Sequence, residues 1–349
     1  MLNSISNKHI ILTSIGIVII ILLSQCSSKH GTTPYIYNLN EGWEEPIIPD
    51  NNPLTLESIA LGRSLFFDTA LSIDSSISCS SCHFAEFGFA DRIPLSLGVE
   101  GRLGFRNSGT LTNVAYLPYF NRDGGVKTLD LFSSVPIEDH QEMGFNMLLA
   151  GQRLASNSKY AKAAKEAYGR EFDGFVITRA LSSFLRTFIS DNSLYDKVLN
   201  EESGVQLNIS QQKGKTLFFG DKAHCSKCHS GIQFTDYSFQ NNGLLDSFEN
   251  KDRGRERLTF NPADEGKFRV ATLRNIELTA PYMHNGSLPT LESVLQHYSS
   301  KGSQHKNKNP LIDEIELTSD DEKNIIEFLK TLTDKDFINN PEFSRPSLN

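Results

Sequence analysis

Two short motifs have the spacing of cysteines and histidine that attaches haem to a protein. They read Cys79-Ser80-Ser81-Cys82-His83 and Cys225-Ser226-Lys227-Cys228-His229. In a Cys-x-x-Cys-His motif the two thiols add to the vinyl groups of the porphyrin, and the histidine binds the iron from below. The motifs therefore predict two covalently bound haem c groups, whose irons are held by His83 and His229.

Other uses of paired cysteines explain the sequence less well. Cysteines of a secreted chain often form disulfides, and four thiolates can build a zinc site or two redox dithiols. None of these alternatives gives a role to the histidine after each second cysteine. Haem attachment uses four of the five cysteines and leaves Cys26 for another purpose.

The sequence around the two motifs repeats. Gly62-Arg63-Ser64-Leu65-Phe66-Phe67 precedes the first motif and Gly214-Lys215-Thr216-Leu217-Phe218-Phe219 precedes the second, while Phe89-Ala90-Asp91 and Phe234-Thr235-Asp236 follow them. Each half closes with an amphipathic helix, around Phe184 and around Phe328. The repeat predicts a mainly α fold of two tandem cytochrome c-like haem domains, residues 54–205 and 206–349.

The N-terminus has the features of an export signal. Residues 10–23 form an apolar run that is short for a membrane span and typical of a signal peptide. The run ends in Leu23-Ser24-Gln25-Cys26, which resembles a lipobox except for Gln25. We predict a signal peptide over residues 1–26, lipidation of Cys26, a linker over residues 27–53 and an anchored periplasmic location. An ordinary secretory signal and an uncleaved anchor are the alternatives.

Composition and charge narrow the class of protein. The 349 residues, 38% hydrophobic and 22% charged, suit a soluble globular chain of two domains. With 34 basic against 42 acidic residues the formal net charge is −8. No long basic run exists, so we expect no nucleic-acid partner. The acidic balance is compatible with docking a basic protein.

Further motifs surround both haem sites. The first half carries Leu65-Phe66-Phe67-Asp68, Gly88-Phe89-Ala90-Asp91, Arg106-Asn107, Leu111-Thr112-Asn113, Asp123-Gly124 and Glu142-Met143-Gly144. The second carries Ala271-Thr272-Leu273-Arg274-Asn275 and Thr279-Ala280-Pro281-Tyr282-Met283-His284-Asn285-Gly286-Ser287. Over nearly all of residues 54–335 the chain resembles the bacterial dihaem cytochrome c peroxidases and the related MauG-type enzymes. The resemblance implies that it reduces hydrogen peroxide with electrons from a small cytochrome c or cupredoxin, and it allows a homodimer.

The resemblance implies that the first haem is the peroxide site. His83 would be its proximal ligand, Glu142 the distal acid–base residue, and Pro136 a residue over the same face. Peroxide must lose a proton from one oxygen and gain one on the other, which a carboxylate above the haem can relay. Many relatives block this iron with a histidine in the loop that matches residues 95–101. Val99 stands at that position here, which predicts an open first haem.

The second haem passes electrons inward in these relatives, with His229 as its lower ligand. The position of the upper ligand matches Tyr298, as in MauG-type enzymes, and an oxygen ligand would lower the potential relative to methionine. His297 and Met283 are the alternatives. The resemblance implies that His284 bonds to a haem propionate or structures its loop.

The resemblance also implies a calcium ion between the haems, at positions matching Asn107, Thr279 and Pro281, whose oxygen donors suit a hard cation. Two positions depart from the pattern. Arg122 replaces a tryptophan that lies between the haems of relatives, which puts an aromatic electron route in doubt. Phe132 replaces a glutamine ten residues before the catalytic glutamate, which changes the polarity of the peroxide pocket.

Two other functions stay open from the sequence. A MauG-type oxidase, which oxidises side chains of a protein substrate, is favoured by Val99 and Tyr298. A two-haem electron-transfer cytochrome without enzymatic activity would need a strong-field sixth ligand on both irons.

Overall fold

The computed structural model describes residues 31–346, so the predicted signal peptide and Cys26 lie outside the described residues. The α-helices of this part are α1 (Leu56–Phe66), α2 (Leu129–Phe132), α3 (Val135–Glu138), α4 (Met147–Ala155), α5 (Ser158–Tyr168), α6 (Gly174–Arg186), α7 (Leu194–Leu199), α8 (Ile209–Phe219), α9 (Glu256–Thr259), α10 (Leu291–Ser299), α11 (Ser319–Lys330) and α12 (Lys335–Ile338). Two short strands, β1 (Phe239–Gln240) and β2 (Phe268–Arg269), pair antiparallel. Helix dominates and surrounds two separate apolar cores, which confirms the predicted fold class. Between residues 31 and 346 no helix has the length and apolarity needed to span a bilayer.

The repeated glycine lies where two helices approach most closely in each half. A Cβ atom on Gly62 of α1 would come within 1.9 Å of the Ala180 carbonyl oxygen in α6. The same atom on Gly214 of α8 would lie 1.8 Å from the Asn324 carbonyl oxygen in α11. Glycine inside a helix costs about 0.5–1 kcal/mol relative to alanine, so close packing accounts for its use at both positions. The repeated sequence therefore corresponds to the same kind of helix–helix crossing in each half of the chain.

Each crossing buries phenylalanine rings beside the haem motif. In the first core the Phe66 ring lies edge-on to Phe184, with 5.5 Å between centroids. In the second core Phe218 and Phe328 make the equivalent contact at 5.3 Å. Such aromatic pairs contribute about 0.5–1.5 kcal/mol beyond the burial of their surface. They hold the helices that form the walls of the two haem sites.

The described part of the predicted linker, residues 31–53, contacts the rest of the molecule at several points. The Asn40 backbone N–H donates to the Asp191 carboxylate at 2.8 Å. The ring of Trp43 lies 4.4 Å from the guanidinium of Arg274, which is fully buried in an ion pair with Asp196 at 2.8 Å. The described part of the segment is therefore a structured extension rather than a free tether, since it makes specific contacts with both halves.

The two cores do not follow the predicted domain boundary. Tyr195 of α7 precedes residue 205 but packs in the second core. Phe337 and Phe343 follow residue 206 but pack in the first core, where Phe343 lies 4.8 Å from the Phe188 ring. The chain thus crosses between the halves twice, because its last residues return to cover the first core.

Candidate haem and peroxide site

The first Cys-x-x-Cys-His motif forms a 3-10 turn, Cys79–Ser81, in the wall of an open cleft. The His83 ring places Nδ1 2.7 Å from the carbonyl oxygen of Phe89, whose backbone is left-handed with φ 58°. A carbonyl can only accept, so Nδ1 carries the proton and Nε2 keeps a lone pair for a metal. Burial lowers the pKa of His83, which keeps the ring neutral.

The second motif repeats this arrangement beside a larger cleft. His229 Nδ1 lies 3.1 Å from the carbonyl oxygens of both Phe234 and Ala271. Phe234 has φ 51° and stands where Phe89 stands in the first half. Phe89 and Phe234 therefore each orient the histidine of their own motif. The sequence repeat had indicated these two phenylalanines but not their role.

The four cysteines have the environment of haem-attachment thiols. Burial raises the pKa of Cys79 to about 12 and that of Cys225 to about 12, so these thiols are protonated and unsuited to redox exchange. None of the four described cysteines forms a disulfide. The two pairs line separate clefts and cannot share one zinc ion. The donor set of each cleft, two thiols and one oriented histidine, fits a haem c group.

Glu142 and Pro136 both line the first cleft, as predicted for residues above a haem. Burial raises the pKa of Glu142 to about 7, and the nearby Asp139 carboxylate acts in the same direction. Much of the Glu142 side chain is still accessible because the cleft beside it is open, and a group that filled the cleft would cover it further. A carboxyl with this pKa can both take and give a proton near neutral pH.

The loop of residues 95–101, which is predicted to leave the first iron open, is hydrogen-bonded to the backbone of Glu142. The Val99 N–H donates to the Glu142 carbonyl oxygen at 2.8 Å, and the Val99 side chain is fully buried. Gly98 lines the cleft, where a Cβ atom would lie 2.0 Å from the Gln141 carbonyl oxygen. His83 is the only histidine among the described residues that line this cleft.

Phe132, the second departure from the family pattern, also lines the first cleft. Its ring stacks on Phe120 with 5.4 Å between centroids and an interplanar angle of 26°. An apolar ring therefore stands in this wall, where an amide would offer hydrogen bonds.

The three candidates for the upper ligand of the second haem are placed differently. Tyr298 of α10 and Met283 line the second cleft, and His297 does not. His297 Nε2 instead lies 3.0 Å from the carbonyl oxygen of Asn242. The Asn242 side-chain amide donates to Met283 Sδ at 3.1 Å and lies 3.5 Å from the Tyr298 hydroxyl. Sequence reasoning missed Asn242, which contacts all three candidates from a distant loop.

Of the residues predicted between the haems, Asn107 contacts the loop that carries the other two. The Asn107 N–H donates to the His284 carbonyl oxygen at 2.9 Å, while Thr279 and Pro281 are buried in the loop that leads to His284. The His284 ring lines the second cleft and stacks on Phe268 at 3.9 Å. Burial lowers the pKa of His284 to about 4, so the ring is neutral.

Comparisons with known proteins agree with this geometry. The sequence profile described as Di-haem cytochrome c peroxidase matches residues 56–204, and one described as RoxA-like, cytochrome c-like matches residues 270–302. The cytochrome c551 peroxidase of Nitrosomonas europaea is 34% identical over 309 residues, which cover 87% of each protein. The methylamine utilization protein MauG of Methylorubrum extorquens is 33% identical, over 81% of this chain and 80% of the relative. The crystal structure of a MauG-like protein associated with microbial copper homeostasis superposes with a TM-score of 0.85 at 32% identity, covering 89% of this chain and 99% of that one.

The chain belongs to the di-haem cytochrome c peroxidase family. The family implies haem c cofactors, which confirms the prediction drawn from the two Cys-x-x-Cys-His motifs. The predicted enzyme class agrees with the names of several relatives at 30–34% identity.

Proposed function

We propose that this chain is a cytochrome c peroxidase, which reduces hydrogen peroxide to water with two electrons from a small cytochrome c or cupredoxin. The observation that carries the proposal is the first cleft, where Glu142, with a pKa of about 7, shares an open space with a single oriented histidine, His83. A carboxyl that exchanges protons, next to the face of a bound haem that has no protein ligand, suits peroxide cleavage.

The side chains of the first cleft have different roles in the proposed reaction. Haem iron, when bound, supplies the redox chemistry at the peroxide oxygens. Glu142 accepts the proton from the oxygen nearer the iron and returns it to the oxygen that leaves as water. Two further protons and two electrons complete the conversion of one peroxide into two water molecules. Pro136 and Phe132 present apolar surface to the cleft and exclude competing water.

At the second cleft, His229 and Tyr298 would hold the haem that receives electrons. Burial raises the pKa of the Tyr298 phenol, and the Asn242 amide opposes this shift. Arg122 and Arg269 line the same cleft, and the buried Nε of Arg269 has no hydrogen-bond partner among the described residues. This free guanidinium donor of Arg269 suits a carboxylate of a haem. His284 would serve the same end of the cofactor, as a neutral side chain.

The first test is Glu142→Gln. We expect peroxide turnover with reduced cytochrome c to fall by about 100-fold or more, because an amide cannot relay the proton. Haem content, from the pyridine haemochrome spectrum, should stay at two per chain. The exposed neighbour Glu138 provides the control, since Glu138→Gln should keep normal turnover. Normal turnover in Glu142→Gln would remove the acid–base assignment.

A MauG-type oxidase is the second candidate, favoured by Tyr298 at the second cleft. Electron paramagnetic resonance of the resting protein first distinguishes the two enzymes from the electron carrier. One high-spin haem fits either enzyme, and two low-spin haems fit an electron carrier. Steady-state consumption of peroxide by reduced cytochrome c then identifies the peroxidase. Tyr298→Phe should change the low-spin signal, whereas His297→Ala should leave it unchanged.

We also propose export to the periplasm and lipid anchoring at Cys26, on the sequence pattern alone. Wild-type protein should fractionate with membranes, and Cys26→Ala protein should be released from them.

A homodimer remains a prediction. Calcium at Asn107, Thr279 and Pro281 also remains a prediction, and its ligands would compete with hydrogen bonds that Asn107 makes to Arg122.

A further inference from the structure

Arg122 makes its hydrogen bonds to the oxygens of Asn107. Its Nε and Nη2 donate to the Asn107 carbonyl oxygen at 3.2 and 3.1 Å, and Nη2 also donates to Asn107 Oδ1 at 2.8 Å. The orientation of the Asn107 amide is set from the other side, where Nδ2 donates to the carbonyl oxygens of Ile93 and Pro94 at 3.3 Å. Both Asn107 oxygens are therefore engaged by one guanidinium.

This guanidinium lies at the contact between the two haem clefts. Arg122 lines the second cleft, while Arg106 and Ser108, on either side of Asn107, line the first. The Arg122 carbonyl oxygen also accepts from the Arg269 N–H at 2.6 Å, which joins the first half to β2 of the second. Arg122 thus connects a loop beside one cleft to the wall of the other.

Arg122 has no carboxylate partner in the described part of the chain. The adjacent acids pair instead with Arg106, which lies 2.7 Å from Asp123 and 2.5 Å from Asp252. Burial, with Arg269 and Arg106 nearby, lowers the pKa of Arg122 to about 10, and the side chain stays charged at neutral pH. The position therefore holds an unneutralised positive charge.

These contacts do not fit the calcium ion predicted for Asn107, Thr279 and Pro281. A calcium ion needs several free oxygen donors, and both donors of Asn107 are already bonded. The charges of Arg122 and Arg269 would also repel a divalent cation, whereas Arg106 is neutralised by Asp123 and Asp252. The exchange of tryptophan for arginine at residue 122 supplies the charge that the ion would have supplied.

We propose that the guanidinium of Arg122 is a built-in cation between the two haem clefts, which takes the place of calcium and holds the second haem at a higher potential than a neutral side chain would. The inference goes beyond the peroxidase function, because it depends on where the haems bind and not on what the first one reduces. A positive charge near an iron stabilises the reduced form, since reduction lowers the net charge of the haem.

The first measurement uses the full holoprotein after gel filtration in metal-free buffer. We expect far less than one calcium ion per chain by elemental analysis. Absorption and electron paramagnetic resonance spectra should be the same with EGTA as with added calcium chloride. One tightly bound calcium per chain, with spectra that change when EGTA removes it, would overturn the proposal.

The second measurement is a spectroelectrochemical titration of both haems in Arg122 variants. Arg122→Gln should lower the midpoint potential of the second haem, whereas Arg122→Lys should keep most of the wild-type value because it keeps the charge. Arg255→Gln is the matched control. Arg255 is another arginine between the halves, bonded to the Asp123 carbonyl oxygen, but it lines neither cleft.

Equal potentials in Arg122→Gln and Arg255→Gln would contradict the proposed charge effect. If Arg122→Gln does not fold, the calcium content and chelator response of the wild-type protein decide the question alone. A wild-type protein that is calcium-free yet inactive with peroxide would refute the proposed function and leave this inference intact.

Discussion

At the scale of single residues, Glu142 is the group that we propose moves protons in the first cleft. Its carboxyl is partly shielded from solvent by the walls of the cleft and lies near the negative charge of Asp139, and both conditions favour the protonated form. The pKa of about 7 therefore belongs to this environment and not to glutamate as such. The motif in the sequence indicated the residue, but only its surroundings in the folded chain raise its pKa toward neutral pH.

The pH profile of peroxide turnover should follow this carboxyl. We expect kcat/KM for peroxide to rise as pH increases through about 7, because the carboxylate, which is the base, becomes populated there. Asp139→Asn removes a charge that raises the pKa of Glu142, so the midpoint should move to lower pH. Steady-state rates from about pH 5 to about pH 9 measure both profiles. Identical midpoints in the wild type and Asp139→Asn would contradict this account.

At the scale of elements, helix α10 determines which side chain faces the second cleft. Helix α10 begins after Thr290, whose side chain accepts from the Ser293 N–H in a capping box. Successive residues on a helix point about 100° apart, so Tyr298 and His297 cannot both face the cleft. Tyr298 lines it, and His297 bonds to the Asn242 carbonyl oxygen instead.

The crossing of α1 and α6 should tolerate no side chain at residue 62. Gly62→Ala should destabilise the protein by about 1–3 kcal/mol, because the added Cβ meets the backbone carbonyl of Ala180 at 1.9 Å. Ser64→Ala, in the same helix, should have little effect. Thermal unfolding of the holoprotein followed by circular dichroism compares the two. An unchanged midpoint in Gly62→Ala would mean that the helices separate at no cost.

At the scale of the whole molecule, the two halves form one interlocked body. The C-terminal residues close the first core, and Arg63 of α1 donates to the carbonyl oxygens of Pro341 and Ser344 at 2.6 and 2.9 Å. The N-terminal extension brings Trp43 onto Arg274 in the second half. Unfolding of either half is therefore expected to disturb the other.

Removing one ring from the C-terminal residues should weaken the first half. Phe343 is 5% exposed and packs on Phe188, so Phe343→Ala should cost about 3–5 kcal/mol. Phe260, which is 81% exposed, is the control ring, and Phe260→Ala should change stability little. Urea unfolding measures both variants, and limited proteolysis should cut Phe343→Ala first. Equal stability of the two variants would show that the C-terminus is not part of the first core.

Several features followed from the sequence because short contiguous stretches specify them. Two cysteines and a histidine within five residues define each haem attachment, and the repeated Gly-basic-hydroxyl-Leu-Phe-Phe stretch predicted two similar halves. The resemblance identified Glu142 and Pro136 through local motifs as well, and both line the first cleft. Motifs of this kind consist of residues that are close in sequence, and the covalent chain fixes the spacing between them.

Other features required the tertiary structure because they depend on residues far apart in the chain. Periodicity could not show that Arg122 bonds to Asn107, that Asn242 engages His297, or that Phe343 closes the first core. Each contact forms only after the loops and helices between the partners have packed. The charge at residue 122 is readable in the sequence, but its place between the two haem clefts is a property of the folded chain.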